Sequence, residues 1–568
     1  MNASSSPAAP ATSVTLEPEH NVGAVSAAGD SLTVAAWTIV SRVTGLMRFA
    51  VIGAVLGPTF FGNTYQFTNS LPNLVYYGFL AGSLFSSLLV PALVRHIDGG
   101  DRRASERVAG GFLGMTLIAL VVIAPVAVGL GPQAFRLAAL GGGHQSDSAA
   151  QVHIGQLLIL MFIPQIFFYG VVGTATAVMN SRRRFALAAG APAIENLGTM
   201  AVLGAAAMLY GSSTDVTNVP IGEVLLLGLG STGAVALHAA TQWWGARRAG
   251  VVLVPLPGWR DSEVRAVVRR ALPSLAQAGL GAVQIVTLLV MANRLAGGVV
   301  AFQIALNFYY LAIAIGATPV ALSLLPRLAR MHLAGDVAVF RDTLVRGLAL
   351  GFFVTIPAAV GYLALAVPLA RAISFGRLGT ATGVMLVAVA LAALSLAVVG
   401  QTAFMIATYA SYAMKDTRSP LRSMLVQAAV CLTLAASSLF VHGPAVLIVL
   451  GLALSASTVV AGFHLNARVW RNLRGAATQR LLPSMARFVV AAALMVGPAW
   501  IVATVVPQWL GGSLGPRVGI LAAALVGGAV FLALQAWWRS PELGWLAGGL
   551  GQLRHRGQRV AAESINGY

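Results

Sequence analysis

The chain is predicted to be an all-α polytopic membrane protein with fourteen transmembrane helices. Two six-helix bundles, helices 1–6 and 7–12, are expected to be related by a pseudo-two-fold axis along the membrane normal, with two further helices at the C-terminal end. Three observations carry this prediction. Of the 568 residues, 57% are hydrophobic and only 9% are charged, with a mean hydropathy of +0.81, whereas a soluble domain carries about 25% charged residues. Apolar runs of about 20 residues or more recur along the chain. The basic residues collect in the short segments between these runs, on alternate sides.

Residues 1–30 are rich in Ala, Ser and Pro and contain Glu17, Glu19 and Asp30 but no Lys or Arg. They lack the basic start of a signal peptide and read as a disordered tail. The N-terminal bundle, 31–247, takes the runs 31–56, 66–95, 108–130, 152–179, 185–210 and 223–245. The first is apolar apart from Arg42 and Arg48, and the second opens on a polar stretch from Gln66 to Asn73. The C-terminal bundle, 248–480, takes 268–293, 298–325, 346–370, 382–413, 420–441 and 445–467, its first two helices parted at Leu295-Ala296-Gly297. Helices 13 and 14, at 485–506 and 516–538, lie in a segment 481–540, and 541–568 form a C-terminal tail.

The loops test the helix count. Of the 36 Lys and Arg residues, 29 fall on one side, as in Arg102-Arg103, Arg182-Arg183-Arg184, Arg247-Arg248 and Lys415. The other side holds 5, namely Arg136, Arg294, Arg371, Arg377 and Arg517, and Arg42 and Arg48 remain inside helix one. Missing or inventing one helix in the middle would destroy this asymmetry, so both termini are expected in the cytoplasm of a bacterial plasma membrane. The excess of positive charge is thereby explained by orientation among membrane lipids, and no nucleic-acid partner is expected. The single cysteine, Cys431, lies in an apolar run and supports neither a disulfide nor a cysteine metal site. No His/Asp/Glu cluster has metal-ligand spacing, so no metal and no cofactor is expected. The arginine-poor loops offer only Asp147, Asp215 and Glu223 as acids, which argues against a membrane-embedded transferase or any other enzyme.

An internal repeat supports the two bundles. Pro91-Ala92-Leu93-Val94-Arg95 at the end of helix two matches Pro326-Arg327-Leu328-Ala329-Arg330 at the end of helix eight, an offset of 235 residues. The same offset carries the basic turn Asn180-Ser181-Arg182-Arg183-Arg184 onto Lys415-Asp416-Thr417-Arg418-Ser419. Six helices is an even number, so the halves share one orientation and leave a cleft between them near the midplane.

Several motifs carry a resemblance. Ser41-Arg42-x-x-Gly45-x-x-Arg48, Leu71-Pro72-Asn73, Asn180 to Ala186 followed by Ala191-Pro192 and Asn196, and Leu324-Leu325-Pro326-Arg327-Leu328 are similar to those of the MurJ/MviN family. The resemblance implies a lipid II flippase fold of the MOP superfamily and an undecaprenyl-pyrophosphate-linked cell-wall precursor as cargo. This chain departs from the family pattern at Phe49 and Asn63, where acidic residues are usual, at Tyr76-Tyr77, where a basic pair is usual, and at Ala81-Gly82-Ser83, which lacks an acid. The helix-eight arginine falls at about Asn307. The pattern resembles a divergent, actinobacterial-type branch.

The candidate substrate-binding residues are Arg42, Arg48, Asn73, Arg294 and Asn307. An arginine inside hydrocarbon must find an anion, water or backbone carbonyls, so Arg42 and Arg48 read either as phosphate ligands in a polar cavity or as structural ties. With helix one starting at 31, Arg42 would lie about 16 Å deep. Six helical steps set the two arginines about 120° apart. Arg294 reads equally as a snorkelling arginine at the end of helix seven. Glu195, the only carboxylate well inside a span, reads as a partner to Arg42 or Arg48, or as a coupling group. Asn73, Asn307, Gln66, Gln277, Gln284, Gln303 and His238 also fit interhelical hydrogen bonding. The expected function is flipping of the polyprenyl-pyrophosphate-linked glycan by alternating access. The alternatives are export of another polyprenyl-linked saccharide, or a transport-inactive scaffold engaging cell-wall synthesis proteins.

Overall fold

The computed structural model describes residues 20–76, 89–139, 145–182, 184–211, 215–473 and 478–545. Thirteen helices among these are long and apolar enough to cross a membrane. They correspond to thirteen of the fourteen expected spans; the second crosses residues 77–88, which lie outside the described residues.

The first bundle comprises α1 (His20–Leu56), α2 (Phe60–Tyr76), α3 (Val90–Asp98), α4 (Arg102–Ala139), α5 (Gln145–Ser181), α6 (Phe185–Gly190), α7 (Pro192–Tyr210) and α8 (Ile221–Arg248). The second comprises α9 (Ser262–Ala292), α10 (Gly298–Leu333), α11 (Val337–Ala364), α12 (Ala366–Ile373), α13 (Ala381–Ala413), α14 (Arg418–Ala436) and α15 (Ala445–Asn472). Helices α16 (Thr478–Leu510) and α17 (Gly515–Trp537) follow.

Several boundaries correct the sequence reading. Helix α1 begins at His20, inside the tail expected at 1–30. Helix α2 starts at Phe60, not at 66, because the polar residues before Gln66 pair across helices and can be buried. The span expected at 185–210 is broken at Ala191. Pro192 has no N–H for the Ala188 carbonyl, and the buried Gln242 amide on α8 donates to that oxygen instead, at 3.3 Å. The span expected at 346–370 starts earlier, at Val337, and breaks at Leu365, three residues before Pro368.

The internal packing of the two bundles repeats. In the first, α1 packs on α7, α2 on α5, α4 on α5, α5 on α8, and α7 on α8. In the second, the counterparts are α9 on α14, α10 on α13, α11 on α13, α13 on α15, and α14 on α15. The order of partners is the same in both halves, as a repeat of six helices requires. Helices α16 and α17 pack on each other and join the second bundle through α11, where the Phe353 ring meets Phe488 and Phe531 edge-on at 5.5 and 5.2 Å.

The connector between the bundles, residues 249–261, lies along α4, with the Leu256 N–H on the Gly110 carbonyl at 2.9 Å. It is pinned at the arginine-rich side of the molecule. Arg95 and His96 of α3 both reach Glu263, at 2.7 and 2.8 Å, and Arg107 of α4 reaches Asp261 at 3.2 Å.

Candidate functional site

Among the described residues, two polar clusters inside the bundles bear on the site. The first is a closed cluster within the N-terminal bundle. Helix α7 begins at Pro192, whose fixed φ suits a first helical position, and Glu195 follows in that first turn, where the helix dipole favours an anion. The Glu195 carboxylate accepts from Arg48 Nη1 of α1 at 2.9 Å and from the Tyr169 hydroxyl of α5 at 2.9 Å on one oxygen. Its other oxygen accepts from His238 Nδ1 of α8 at 2.9 Å. Four helices thus converge on one carboxylate, which is buried along with His238.

Glu195 partners Arg48 and not Arg42, one of the two arrangements the sequence leaves open. The pair corrects the picture of Arg48 as an unneutralised cation in a wet cavity: its side chain is only 11% exposed and a carboxylate cancels its charge. A buried ion pair in hydrocarbon is tolerated when further donors complete it, as Tyr169 and His238 do here. Asn196, next along α7, donates to the Thr44 hydroxyl at 3.1 Å and fastens α7 to α1 beside the cluster.

The second place is the seam between bundles, where α2 faces α10. Asn63, Gln66, Ser70 and Asn73 fall three or four residues apart, on one side of α2. Asn63 is fully buried; its amide donates to the Leu295 carbonyl at 2.8 Å and accepts from the Val299 N–H at 3.0 Å, so one side chain grips both sides of the α9–α10 turn. That turn needs Gly297, whose φ is +75° and on which a Cβ would collide with Pro58. One to two turns further in, Gln303 of α10 donates to Ser70 at 2.9 Å, and Ser70 donates to the Gln66 carbonyl at 2.7 Å. Asn73 follows on the α2 stripe, with a buried carbonyl oxygen that has no partner among the described residues, and Asn307 on the α10 stripe donates to the Gln303 carbonyl at 2.9 Å. The clasp lies on the arginine-poor side, with Asn73 and Asn307 at its inner end.

The remaining candidates lie apart from the cluster. Arg42 is exposed on α1 near Tyr310 of α10, where these two helices pack. Arg294 follows α9 and donates to the Ser438 carbonyl at 2.7 Å, in the turn after α14, which ties two helix ends of the second bundle. Gln277 and Gln284 take interhelical partners, Tyr412 and Gln427.

Sequence reasoning missed Asn63, which it noted only as a missing acid, and Tyr169. An aspartate at position 63 could accept from Val299 but could not donate to Leu295, so the asparagine suits a two-point clasp. The signal for Tyr169 was the need of a lone intramembrane carboxylate for several donors, but an aromatic residue in an apolar run looks like ordinary packing.

The comparisons with known proteins agree with this architecture. The sequence pattern of the family described as Lipid II flippase MurJ matches residues 52–519. A probable lipid II flippase MurJ from Rhizobium meliloti (strain 1021) is 26% identical over 552 residues, covering 94% of this chain and 96% of its own. Among solved structures, a lipid II flippase MurJ in an inward closed conformation aligns with a TM-score of 0.68 at 15% identity, covering 89% of this chain and 99% of that one. An inward-facing multidrug resistance MATE family transporter of the MOP superfamily aligns at 0.58 and 13% identity, over 77% of this chain and 99% of its own. The shared two-bundle fold and the family pattern, which runs through most of both bundles, lead to one conclusion: this chain belongs to the lipid II flippase MurJ family.

Proposed function

We propose that this protein moves an undecaprenyl-pyrophosphate-linked cell-wall precursor, lipid II or a close relative, across the bacterial plasma membrane by alternating access, with both termini in the cytoplasm. The observation that carries this reading is the seam: two bundles with the same internal packing meet along α2 and α10 through polar contacts that can be exchanged, and are clasped on the arginine-poor side. A pyrophosphate cannot cross hydrocarbon unassisted, so a polar path must replace its hydration while the lipid tail stays in the bilayer.

In this reading Arg42 supplies the cation. It is exposed at the junction of α1 and α10 and makes no ion pair among the described residues, and its planar fork suits two phosphate oxygens. Asn73 and Asn307 line the inner end of the seam, where a glycan would need hydrogen-bond partners. Arg48 and Arg294 act as positioning residues, one through Glu195 and the other through Ser438.

The test is rescue of a strain depleted of its lipid II flippase. The wild-type chain restores growth, Arg42→Ala fails, and Arg42→Lys restores it in part, with all three accumulating equally because Arg42 is exposed. Growth supported fully by Arg42→Ala would remove Arg42 from transport, and would favour the scaffold reading.

A further inference from the structure

A groove of about 730 Å³ runs between the two bundles. Its walls are Phe112 and Met115 of α4 from the first bundle, Leu272 and Val283 of α9, and Leu421 and Leu425 of α14 from the second. Leu272, Val283 and Leu425 are each about half exposed or more, so the groove opens sideways to the bilayer. From Val268 to Val283 it follows α9 for about 22 Å, more than the roughly 15 Å depth of one leaflet. It begins less than two turns from the start of α9, on the arginine-rich side.

The two stripes that form the second bundle's wall both end in arginine. On α9, Arg265 precedes Val268, Leu272, Leu275, Gly279 and Val283 at spacings of three or four. On α14, Arg418 precedes Leu421 and Leu425 in the same way. Both arginines are exposed, and neither makes an ion pair among the described residues. At the foot of the α4 wall, by contrast, Arg107 is held by Asp261. An apolar slot longer than one leaflet is deep, whose two second-bundle stripes each begin at an exposed arginine, has the charge and shape of a receptor for a lipid with an anionic head.

We propose that this groove holds an acyl chain of an anionic phospholipid, whose phosphate sits on Arg265 and Arg418. Because one wall belongs to the first bundle and the others to the second, the lipid bridges the bundles. It favours the arrangement in which α4 stays close to α9 and α14.

The experiment uses the full-length protein in a nonionic detergent, with phosphatidylglycerol or phosphatidylcholine titrated in and thermal unfolding as the readout. Phosphatidylglycerol raises the melting temperature in a saturable way and phosphatidylcholine does not. In Arg265→Gln/Arg418→Gln the apparent affinity for phosphatidylglycerol falls roughly tenfold or more, as expected from losing two basic contacts at a lipid surface. Arg265→Lys/Arg418→Lys retains most of it. Ala276→Phe, which fills the groove from α9, abolishes the effect, and if that variant does not fold the surface arginine variants decide the matter alone. Equal stabilisation by phosphatidylcholine, or an unchanged phosphatidylglycerol affinity in the double glutamine variant, overturns the proposal. Undecaprenyl phosphate displacing phosphatidylglycerol at equal mole fraction also overturns it, and would make the groove a seat for the cargo's tail.

Discussion

Glu195 is the residue on which the polar interior of the first bundle converges. Removing it with Glu195→Leu leaves the Arg48 guanidinium buried without its anion, and is expected to cost about 3–5 kcal/mol. The measurement is the melting temperature of the purified protein, together with its level in the membrane. The double change Arg48→Met with Glu195→Leu restores most of that loss, because an apolar pair of similar volume needs no compensating charge. A double variant no more stable than Glu195→Leu alone would show that the ion pair contributes nothing. This site was half legible in the sequence. Two arginines and one carboxylate in apolar runs had to find partners, but with the arginines about 120° apart only the placement of α7 decided that Arg48 was the one. Tyr169 and His238 could not be assigned, because neutral side chains in apolar segments have many satisfactory neighbours.

At the scale of elements, the α9–α10 turn held by Asn63 is the joint most open to test. Asn63→Ala removes both of its hydrogen bonds and is expected to weaken the clasp by roughly 2 kcal/mol, at about 1 kcal/mol each. The arginine-poor side should then open more often. Cys431 is the only cysteine and is buried, so a Cys431→Ala background carrying Asn307→Cys gives a single reporter thiol. Labelling by a membrane-impermeant reagent from outside the cell should rise severalfold when Asn63→Ala is added. Unchanged labelling would show that the clasp does not gate access. Asn63→Asp should raise labelling less than Asn63→Ala, because a carboxylate still accepts from the Val299 N–H but cannot donate to Leu295. Most helix positions were legible from apolar length alone. The breaks at Ala191 and Leu365 were not placed, although Pro192 and Pro368 mark them, since a proline in a membrane helix can be absorbed when neighbours satisfy the freed carbonyl, as Gln242 does for Ala188.

For the whole molecule, the distribution of arginine predicts orientation. A reporter fused after Tyr568 should be cytoplasmic, and tags inserted near Gln145 or Asp215 should be reached from outside; an external C-terminus would refute the fourteen-helix topology. The repeat predicts that helices 1–6 superpose on 7–12 without inversion, with Pro91 near Pro326. Drive is a separate matter. The expected helices 7–12 contain no carboxylate, and in the proposed reading Arg42, with Arg48 paired to Glu195, is an intramembrane charge able to feel the field, at about 2.3 kcal/mol per 100 mV. Transport should therefore persist when sodium is replaced by choline and fall when the membrane potential is collapsed. Sodium dependence that survives Glu195→Gln would contradict this.

Composition, apolar run length and loop charge were enough to establish a polytopic helical protein and its expected orientation, because the bilayer imposes the same length and charge rules on every span regardless of its neighbours. The repeat was visible for a related reason: equivalent turns at the membrane surface keep similar proline and arginine patterns. Which polar side chains meet depended on helix rotation and tilt, which are set by packing across residues far apart in the chain. Thus the union of Arg48, Glu195, Tyr169 and His238, the grip of Asn63 on the α9–α10 turn, and the arginine-capped groove between α4, α9 and α14 emerge only once the helices are placed together.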